Sequence, residues 1–540
     1  MSTKLVLNSE RAMPDIFPIA FPNYRVRLPK DGPLIGWTRW STDGQSVLTT
    51  IFATPDDSES DPAAGLLVSY IGANGNRQMS ASPRLQHKND KDSRAPYFSA
   101  TLTISATDFK DGKIELEVLT LHAIAGTGKV YAAPDEKALA AGLAANVGTS
   151  KYDELRAELH ERLTSANTLL KDPQPSSHSF EDRSDRSLSE ALVTLRLPPL
   201  ATDHASFKLI ATTCRYPGFA FETGRVDDAS YKKINLVHPG ASGLLLLGDQ
   251  IYADATASLF DKLTTLEKFQ ERYHALFRSP GFAKAVRNIP CYMTGDDHEF
   301  TDSWSVPDNV LHKNLALAAQ QSYGIYQLSH SPFIKPLDKP PYDYFFNVGP
   351  ASVYVMDTLS NRDTAVPGKE TIVTGDQLAQ FDNWLKASNT LDFVILATGG
   401  VVAPGFAVAL KISGETDEHR AQGWENWQAF KDQRIQLLKI ISASNKRVLL
   451  LSGDYHCAAV ASIKDSSGKE IAKAAVAPPA YAPMRYANKT SAVLATREST
   501  GGFQIDIDPK MSQDESGFAV ISISNGGWDI KFDVFQVADF

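Results

Sequence analysis

The feature that most constrains the fold of this 540-residue chain is a series of short apolar runs between about residues 205 and 460. Amphipathic stretches with helical spacing separate these runs, as in DQLAQFDNWLKAS and FKDQRIQLLKIISA. Near-continuous apolar strands are typical of a sheet covered on both faces by other elements. We therefore predict an α/β domain over residues 205–540, in a chain that is α+β overall. The runs are FKLIATTC, GLLLLGD, IPCYMTGDD, ASVYVMDT, FVILATGG and KRVLLLSGD.

The N-terminal part of the chain has a different pattern. Up to about residue 125, apolar and polar residues alternate and Asp-Gly pairs mark turns, which predicts a β-rich region. Residues 135–170 have the pattern of one or two helices, and residues 171–204 are largely polar with Pro and Ser. We predict a β-rich accessory domain with trailing helices over 1–170 and a linker over 171–204. The chain ends in a pattern typical of a hairpin.

Composition restricts the class of partner. The net charge of −9 argues against nucleic acid as a main partner, because phosphate backbones require clustered Lys and Arg. Three cysteines are a poor disulfide framework. The chain contains no run of about 18 apolar residues, so we expect no membrane span. The N-terminus has neither an apolar signal core nor twin arginines, so we expect a cytoplasmic protein by default, or an exported one if a signal has been removed.

Four of the apolar runs end in side chains that can bind metals. In open α/β sheets ligands bind beyond the carboxyl ends of the strands, so we expect these groups to meet at one edge. Carboxylates suit hard cations, whereas Tyr and Cys suit a more Lewis-acidic metal such as Fe³⁺. The mixture suggests two metals bridged by a carboxylate, for which Asp249 is the natural choice. The groups are Cys214; Asp249 with Tyr252; Asp296, Asp297, His298 and Glu299; and Asp454 with His456.

These residues carry a resemblance to a known family. The blocks GDQIY, GDDHE and SGDYH resemble those of metallophosphatases, and Tyr252 resembles the tyrosine of purple acid phosphatases. Together with ATTCRYPG, VMDTLSNRD, GDQLAQFDNWL and GWENWQAFKDQRIQLL, they most closely resemble the alkaline phosphatase D family over residues 205–460. The resemblance implies a β-sheet sandwich flanked by helices. It also implies a phosphomonoesterase or phosphodiesterase in which water or hydroxide activated by two metals attacks phosphorus.

The resemblance also assigns roles to individual residues. Cys214, Tyr252 and His456 would bind one metal, Fe³⁺, and Asp297 and Asp454 the second, Ca²⁺, with Asp249 bridging. Zn²⁺, Mn²⁺ and Mg²⁺ are alternatives, since such sites exchange metals. In catalysis, His298 would donate to a phosphate or leaving-group oxygen and Arg362 would face the phosphate, with Arg215 as a second candidate. Asp296 and Glu299 are expected to support the site or cap a helix.

Simpler interpretations remain open. Cys214 and Tyr252 are types of residue that commonly only pack in a core, and buried histidines often only satisfy neighbouring groups. Leu359 stands where the family often has another Arg, and the family's usual export signal is absent. These departures leave the alternative of a catalytically degenerate metal-binding sensor or scaffold on the same fold. A serine hydrolase is disfavoured because no G-x-S-x-G sequence is present. Substrate identity and oligomeric state are not predicted.

Overall fold

The computed structural model of the protein divides into two compact units, Met1–Leu197 and Pro198–Phe540, which are described separately. The helices predicted over 135–170 lie outside the described residues. The structure describes residues 24–27, 33–53, 63–75, 77–83, 98–123, 192–217, 226–254, 265–331, 339–366, 368–387, 392–405, 426–482, 496–512 and 515–535.

The described part of the first unit is built from strands in two sheets. Strands β2, β3 and β6 form an antiparallel sheet of three, and the other sheet has the order β1-β7-β4-β5, with β8 also pairing with β7. Apolar side chains of both sheets share one core, which confirms the predicted β-rich region. The strands are β1 (Tyr24–Arg27), β2 (Leu34–Trp40), β3 (Ser46–Ala53), β4 (Ala63–Ile71), β5 (Arg77–Pro83), β6 (Phe98–Ser105), β7 (Lys113–Ala123) and β8 (Leu192–Arg196).

Strand β8 lies inside the segment that we predicted as a linker, residues 171–204. Its sequence LVTLR alternates exposed and buried positions, and Val193 and Leu195 reach the core of the first unit. It pairs with β7 from Leu192↔Glu117 to Arg196↔Lys113. Five residues are too few for the alternation to stand out beside a long polar segment, so the sequence analysis assigned no strand here. The C-terminal part of the predicted linker is therefore an edge strand.

The second unit contains two larger sheets. One has the order β11-β10-β9-β21-β22, with β18 also pairing with β9, and the other the order β12-β13-β14-β15-β17-β16-β20-β19. All six apolar runs form strands at their predicted places. The strands are β9 (Lys208–Arg215), β10 (Gly243–Leu247), β11 (Cys291–Thr294), β12 (Tyr344–Val348), β13 (Ala351–Met356), β14 (Phe393–Thr398), β15 (Arg447–Ser452), β16 (Ala459–Lys464), β17 (Glu470–Val476), β18 (Pro479–Tyr481), β19 (Arg497–Thr500), β20 (Phe503–Ile507), β21 (Ser516–Ser524) and β22 (Gly527–Phe535).

The two sheets of the second unit pack face to face, and helices cover the outside of the larger one. Leu209 and Leu247 from the smaller sheet share a buried core with Val353 and Leu451 from the larger sheet. The outer face of the larger sheet packs against helices α6 and α7, which confirms the predicted sandwich flanked by helices. The helices are α1 (Ala229–Val237), α2 (Leu266–Phe277), α3 (Pro280–Asn288), α4 (Asp308–Leu311), α5 (Lys313–Tyr326), α6 (Gly375–Ala387) and α7 (Lys431–Ser444).

Strand direction brings the candidate residues together, but from two sheets and not from the single edge we expected. Strands β9, β10 and β11 are parallel neighbours in the smaller sheet, whereas β15 is a parallel neighbour of β14 in the larger one. Apolar periodicity identifies strands without revealing which of them pair, and this is why the sequence alone merged the two sheets. The predicted closing hairpin is confirmed: β21 and β22 pair antiparallel around Asn525 and Gly526.

Within the described part of the chain, no helix is long and apolar enough to cross a membrane.

Candidate metal centre

The backbone turns sharply where the candidate ligands stand. Cys214, Asp249, Asp454 and His456 have φ angles of 46°, 57°, 68° and 50°. A non-glycine residue in this left-handed region is uncommon and strained, and such residues concentrate at functional sites. Half of the eight non-glycine residues with positive φ in the described part of the chain are these four. The loops at the strand ends therefore adopt unfavourable backbone conformations at the residues whose side chains form the centre.

One group of candidate ligands gathers around one oxygen of Asp249. Ligand atoms of Cys214, Asp249 and His456 all lie within 4.8 Å of one another. The Cys214 Sγ is 3.4 Å from Asp249 Oδ2, and the Tyr252 hydroxyl is 3.4 Å from the same oxygen. The Tyr252 hydroxyl also lies 3.1 Å from His456 Nε2. A thiol, a phenol, an imidazole and a carboxylate oxygen thus converge, and their side chains come from three different strand ends.

A second group lies on the other side of the same carboxylate. Ligand atoms of Asp249, Asp297 and His298 also lie within 4.8 Å of one another. The Asp249 Oδ1 atom accepts the backbone N–H of His298 at 3.3 Å. The Asp297 carboxylate accepts the backbone N–H of Ser303, which fixes its orientation. The two groups share Asp249, whose oxygens face one group each.

Asp454 lies beside the centre without joining either group. Its carbonyl oxygen accepts the Cys214 thiol at 3.6 Å, and its N–H donates to Thr213 Oγ1 at 3.3 Å. Its negative charge raises the pKa of both Cys214 and Asp249, so its carboxylate is near them. The second group as found contains His298 where the sequence analysis expected Asp454.

The charges at this centre favour a bound cation. Burial raises the pKa of Asp249 well above its usual range; the positive charge of His298 opposes that shift, and Asp297, Glu299 and Asp454 add to it. Burial likewise raises the pKa of Cys214 and of Tyr252, and neighbouring acidic groups raise both further. A metal ion would supply the missing positive charge and displace the thiol and phenol protons. The donor set therefore suits metal ions.

His298 is held by an acidic partner. Its Nδ1 lies 2.8 Å from Asp254 Oδ1, and its ring packs on that of Tyr252 with centroids 4.2 Å apart. Burial lowers the pKa of His298, but Asp297, Asp249 and Asp254 outweigh this effect and hold its pKa well above the usual range. The side chain keeps 19% of its surface exposed, so the protonated ring is accessible to a substrate.

The two candidate arginines have different environments. Arg362 is fully buried and donates from Nε to the Trp304 carbonyl at 2.7 Å, while both of its terminal nitrogens have no hydrogen-bond partner among the described residues. Burial raises the pKa of Asp302, which lies beside His298, and the charge of Arg362 opposes that rise, so Arg362 lies near the second group. Arg215 instead forms a buried ion pair with Asp227 and donates to Ser279 at 3.1 Å.

The side chain of Arg215 therefore bonds to other residues of the protein. Because its guanidinium is neutralised by Asp227, we propose a structural role for it in place of the substrate role considered from the sequence. Leu359, at the position where an arginine was looked for, is buried. Both terminal nitrogens of Arg362 have no hydrogen-bond partner among the described residues, whereas Arg215 leaves only its Nε without one.

The sequence analysis missed two residues that organise the centre. Asp254 holds His298, and its only sequence signal is its place directly after the Tyr252 block. Thr213 links three loops: its hydroxyl donates to the Leu247 carbonyl at 3.0 Å, accepts the Asp454 N–H and lies 3.3 Å from Cys214 Sγ. A threonine inside an apolar run carries no signal of such a role, since Thr is common in strands.

Comparison with known proteins agrees with this fold. A family model described as PhoD-like phosphatase matches residues 231–532, more than half of the chain. This range contains most of the candidate ligands, whereas Cys214 precedes it. The solved structure titled "Structure of PhoD" is similar, with a TM-score of 0.56 at 15% identity, covering 94% of this chain and 87% of that chain. At this identity the likeness concerns the fold. No curated protein matches the chain.

A sheet sandwich with acidic, imidazole, phenol and thiol groups at its strand ends suits a metal-dependent phosphoester hydrolase, the class that the matching phosphatase family supports. The chain belongs to the PhoD-like phosphatase family. The resemblance to alkaline phosphatase D that the sequence blocks carry is thereby confirmed.

Proposed function

We propose that this protein hydrolyses small phosphomonoesters, phosphodiesters or both at a binuclear metal centre. Cys214, Tyr252 and His456 would hold one ion, and Asp249 would bridge to the other. Asp297 would bind the second ion, with Asp454 completing its ligands. The observation that carries the proposal is the overlap of two metal-capable groups on the single carboxylate of Asp249.

The ligand types support unlike metals. A thiolate and a phenolate on one side favour a Lewis-acidic ion, for which we propose Fe³⁺. The carboxylates on the other side favour a hard divalent ion, for which we propose Ca²⁺. Zn²⁺, Mn²⁺ and Mg²⁺ are the alternatives that the same donors accept.

The protein's own side chains have distinct tasks in this reaction. Bound metal ions would neutralise phosphate charge and lower the pKa of water. His298, protonated because its carboxylate neighbours outweigh its burial, donates a proton to the leaving oxygen, help worth about 10²–10⁴-fold in typical enzymes. The terminal nitrogens of Arg362 hydrogen-bond the phosphate oxygens, since they have no described partner in the protein.

The test combines elemental analysis with paired substrates. The purified protein is analysed for bound metals and then assayed with 4-nitrophenyl phosphate and bis(4-nitrophenyl) phosphate. We expect about two metal ions per chain and turnover of at least one substrate, lost on treatment with a chelator and restored by metal. Asp249→Ala should abolish both.

Two outcomes would contradict the proposal in different ways. Protein that binds no metal under any loading condition would remove the binuclear centre. Protein that binds two ions but hydrolyses neither these nor other phosphoesters would instead identify the degenerate sensor or scaffold.

A further inference from the structure

We infer that Glu299 is a positioning residue, whose carboxylate fastens together two of the loops that carry candidate metal ligands, the loop of Asp249 and the loop of Asp297. The inference rests on the proposed metal centre, because the residues it concerns are the ligands proposed there. Glu299 is fully buried and does not belong to either group of candidate ligands.

The hydrogen bonds of Glu299 are shared equally between its two oxygens. Oε2 accepts the backbone N–H of Asp249 at 2.9 Å and of Asp296 at 2.8 Å. Oε1 accepts the backbone N–H of Gln250 at 2.7 Å and the side-chain amide of Gln327 at 2.8 Å. One carboxylate therefore joins the loop after β10 to the loop after β11, and anchors both to the residue that follows α5.

These bonds act at a residue whose backbone is left-handed. Asp249 has a φ of 57°, a conformation that costs about 1–2 kcal/mol outside glycine. The N–H of Asp249 donates to Glu299, and the carbonyl oxygen of Asp249 accepts the N–H of Arg215 at 2.8 Å. Asp249 is thus held on both sides of its Cα, and its carboxylate is kept between the two metal positions.

A carboxylate is needed because all four groups that face Glu299 are donors. In Glu299→Gln the amide nitrogen must replace one oxygen, and it then confronts two N–H groups with donors of its own. With the amide nitrogen toward Asp249 and Asp296, two backbone donors lose their acceptor. With it toward Gln250, that backbone donor loses its acceptor even if the Gln327 amide turns its unpartnered oxygen toward the new nitrogen, so this nearly isosteric change weakens the fastening. Loss of partners that orient metal ligands typically weakens metal affinity about 10–100-fold.

The experiment measures metal binding directly. Metal-free wild type and Glu299→Gln are titrated with Zn²⁺ in competition with a chromogenic chelator. We expect the variant to bind Zn²⁺ about 10–100-fold more weakly, while its circular dichroism stays that of the wild type. Hydrolysis by the variant should recover as Zn²⁺ is raised, because Glu299 acts through the ligands and not on the substrate.

A matched control separates positioning from stability. Asp228 is another fully buried carboxylate of the same unit, and it accepts the backbone N–H groups of Gly281 at 2.7 Å and Phe282 at 2.8 Å. It contacts no candidate ligand through these bonds. Asp228→Asn should lower the melting temperature comparably to Glu299→Gln and leave Zn²⁺ affinity within about threefold of the wild type.

Zn²⁺ affinity and amide exchange together decide whether Glu299 positions the ligands. Glu299→Gln that folds and binds Zn²⁺ like the wild type would overturn the inference, and so would an equal loss of affinity in Asp228→Asn. If Glu299→Gln does not fold, amide hydrogen exchange of the metal-free wild type replaces it. Slow exchange at Asp249, Gln250 and Asp296 supports the inference, and exchange as fast as in exposed loops contradicts it. A wild type that binds no metal counts against the proposed centre, and the exchange measurement still tests Glu299.

Discussion

The Nδ1 atom of His298 lies 2.8 Å from Oδ1 of Asp254, and this contact fixes the imidazole beside Tyr252. Asp254 also accepts the backbone N–H of Asp302 at 2.7 Å, so it is itself held in place. Such a carboxylate accepts the Nδ1 proton and leaves the protonated Nε2 free to donate to a substrate.

Asp254→Asn should impair hydrolysis most for esters with poor leaving groups. Without its acidic partner His298 loses orientation and positive charge, and protonation matters little for 4-nitrophenolate but greatly for an alkoxide. We expect kcat to fall less than about tenfold with 4-nitrophenyl phosphate and about 10²-fold or more with an alkyl phosphate. The measurement is the dependence of kcat on leaving-group pKa.

Asp302→Asn is the control for this effect. Its carboxylate is exposed and 3.8 Å from the other ring nitrogen of His298. We expect a change below about threefold for both substrates. An equal loss across all leaving groups in Asp254→Asn would show that the residue supports the structure only.

Asp249→Asn should cost more activity than any change outside the ligand set. Both oxygens of Asp249 face candidate ligand groups, and an amide replaces one of them with a poor ligand. Loss of a residue that only orients a metal ligand typically costs about 10–100-fold, and we expect kcat to fall by more than this. We also expect at least one metal ion to be lost per chain. Elemental analysis and kcat measure the two effects. Asp376→Asn, an exposed change at the start of α6, should alter neither; retention of both metals by Asp249→Asn would refute its bridging role.

Gly453→Ala should destabilise the protein and weaken metal binding at the centre. A Cβ atom at Gly453 would lie 2.4 Å from Thr213 Oγ1 and 2.5 Å from the Leu247 carbonyl oxygen, so the loop that carries Asp454 must shift. We expect a loss of about 1–3 kcal/mol in the free energy of unfolding, typical of overpacking, together with weaker metal binding. Urea unfolding and metal titration measure the two losses.

Gly375→Ala provides the comparison, because no atom lies within 4 Å of a Cβ added there. It should leave both quantities unchanged or raise stability slightly. A Gly453→Ala protein as stable as Gly375→Ala would show that the loops absorb the extra atom.

Asp343 should make stability fall as pH rises toward neutrality. Burial raises the pKa of Asp343 to about 7, and the neighbouring Asp357 raises it further. Because the folded-state pKa exceeds the unfolded value, the folded protein binds this proton more tightly. Its stabilising contribution is full below about pH 4 and is lost as pH rises to 7, at about 1.4 kcal/mol per pH unit.

Asp343→Asn should remove this pH dependence. The amide cannot ionise, and like a protonated carboxyl it can donate to the Tyr354 hydroxyl, which lies 3.0 Å from Oδ2. Between pH 5 and 7, the free energy of unfolding of the wild type should fall by about 2 kcal/mol relative to the variant. Urea unfolding of metal-free proteins at both pH values measures this difference. Parallel pH profiles would mean that Asp343 is ionised throughout.

Much of the fold could be predicted from the sequence because burial leaves a local record. Strands β10, β14 and β15 are covered on both faces and therefore appear as uninterrupted apolar runs. Which strands pair leaves no such record. The sequence analysis therefore placed the Asp454 loop in the same sheet as Asp249, whereas β15 belongs to the larger sheet.

The centre could be predicted where its residues form compact blocks. Asp249 with Tyr252, and Asp297 with His298, stand directly after strands and were found from that position. Thr213 and Asp254 act through contacts with residues 241 and 44 positions away, which no local pattern encodes. The ion pair between Arg215 and Asp227 could not be predicted for the same reason. Arg215 was therefore considered as a second candidate to face the phosphate.

The left-handed residues at the strand ends have a consequence for mutational tolerance. Suppose that Cys214, Asp249, Asp454 and His456 are each randomised and the library is sorted for folded protein alone. The residues recovered at each position then depend on the backbone conformation and not on the reaction. Gly and Asn should then be enriched at all four positions, and Val, Ile and Thr depleted, because a branched Cβ clashes in this region. The protein's fold would then be easier to keep with these four side chains replaced than with them in place, which is the result expected if they are retained for the proposed metal binding and not for stability.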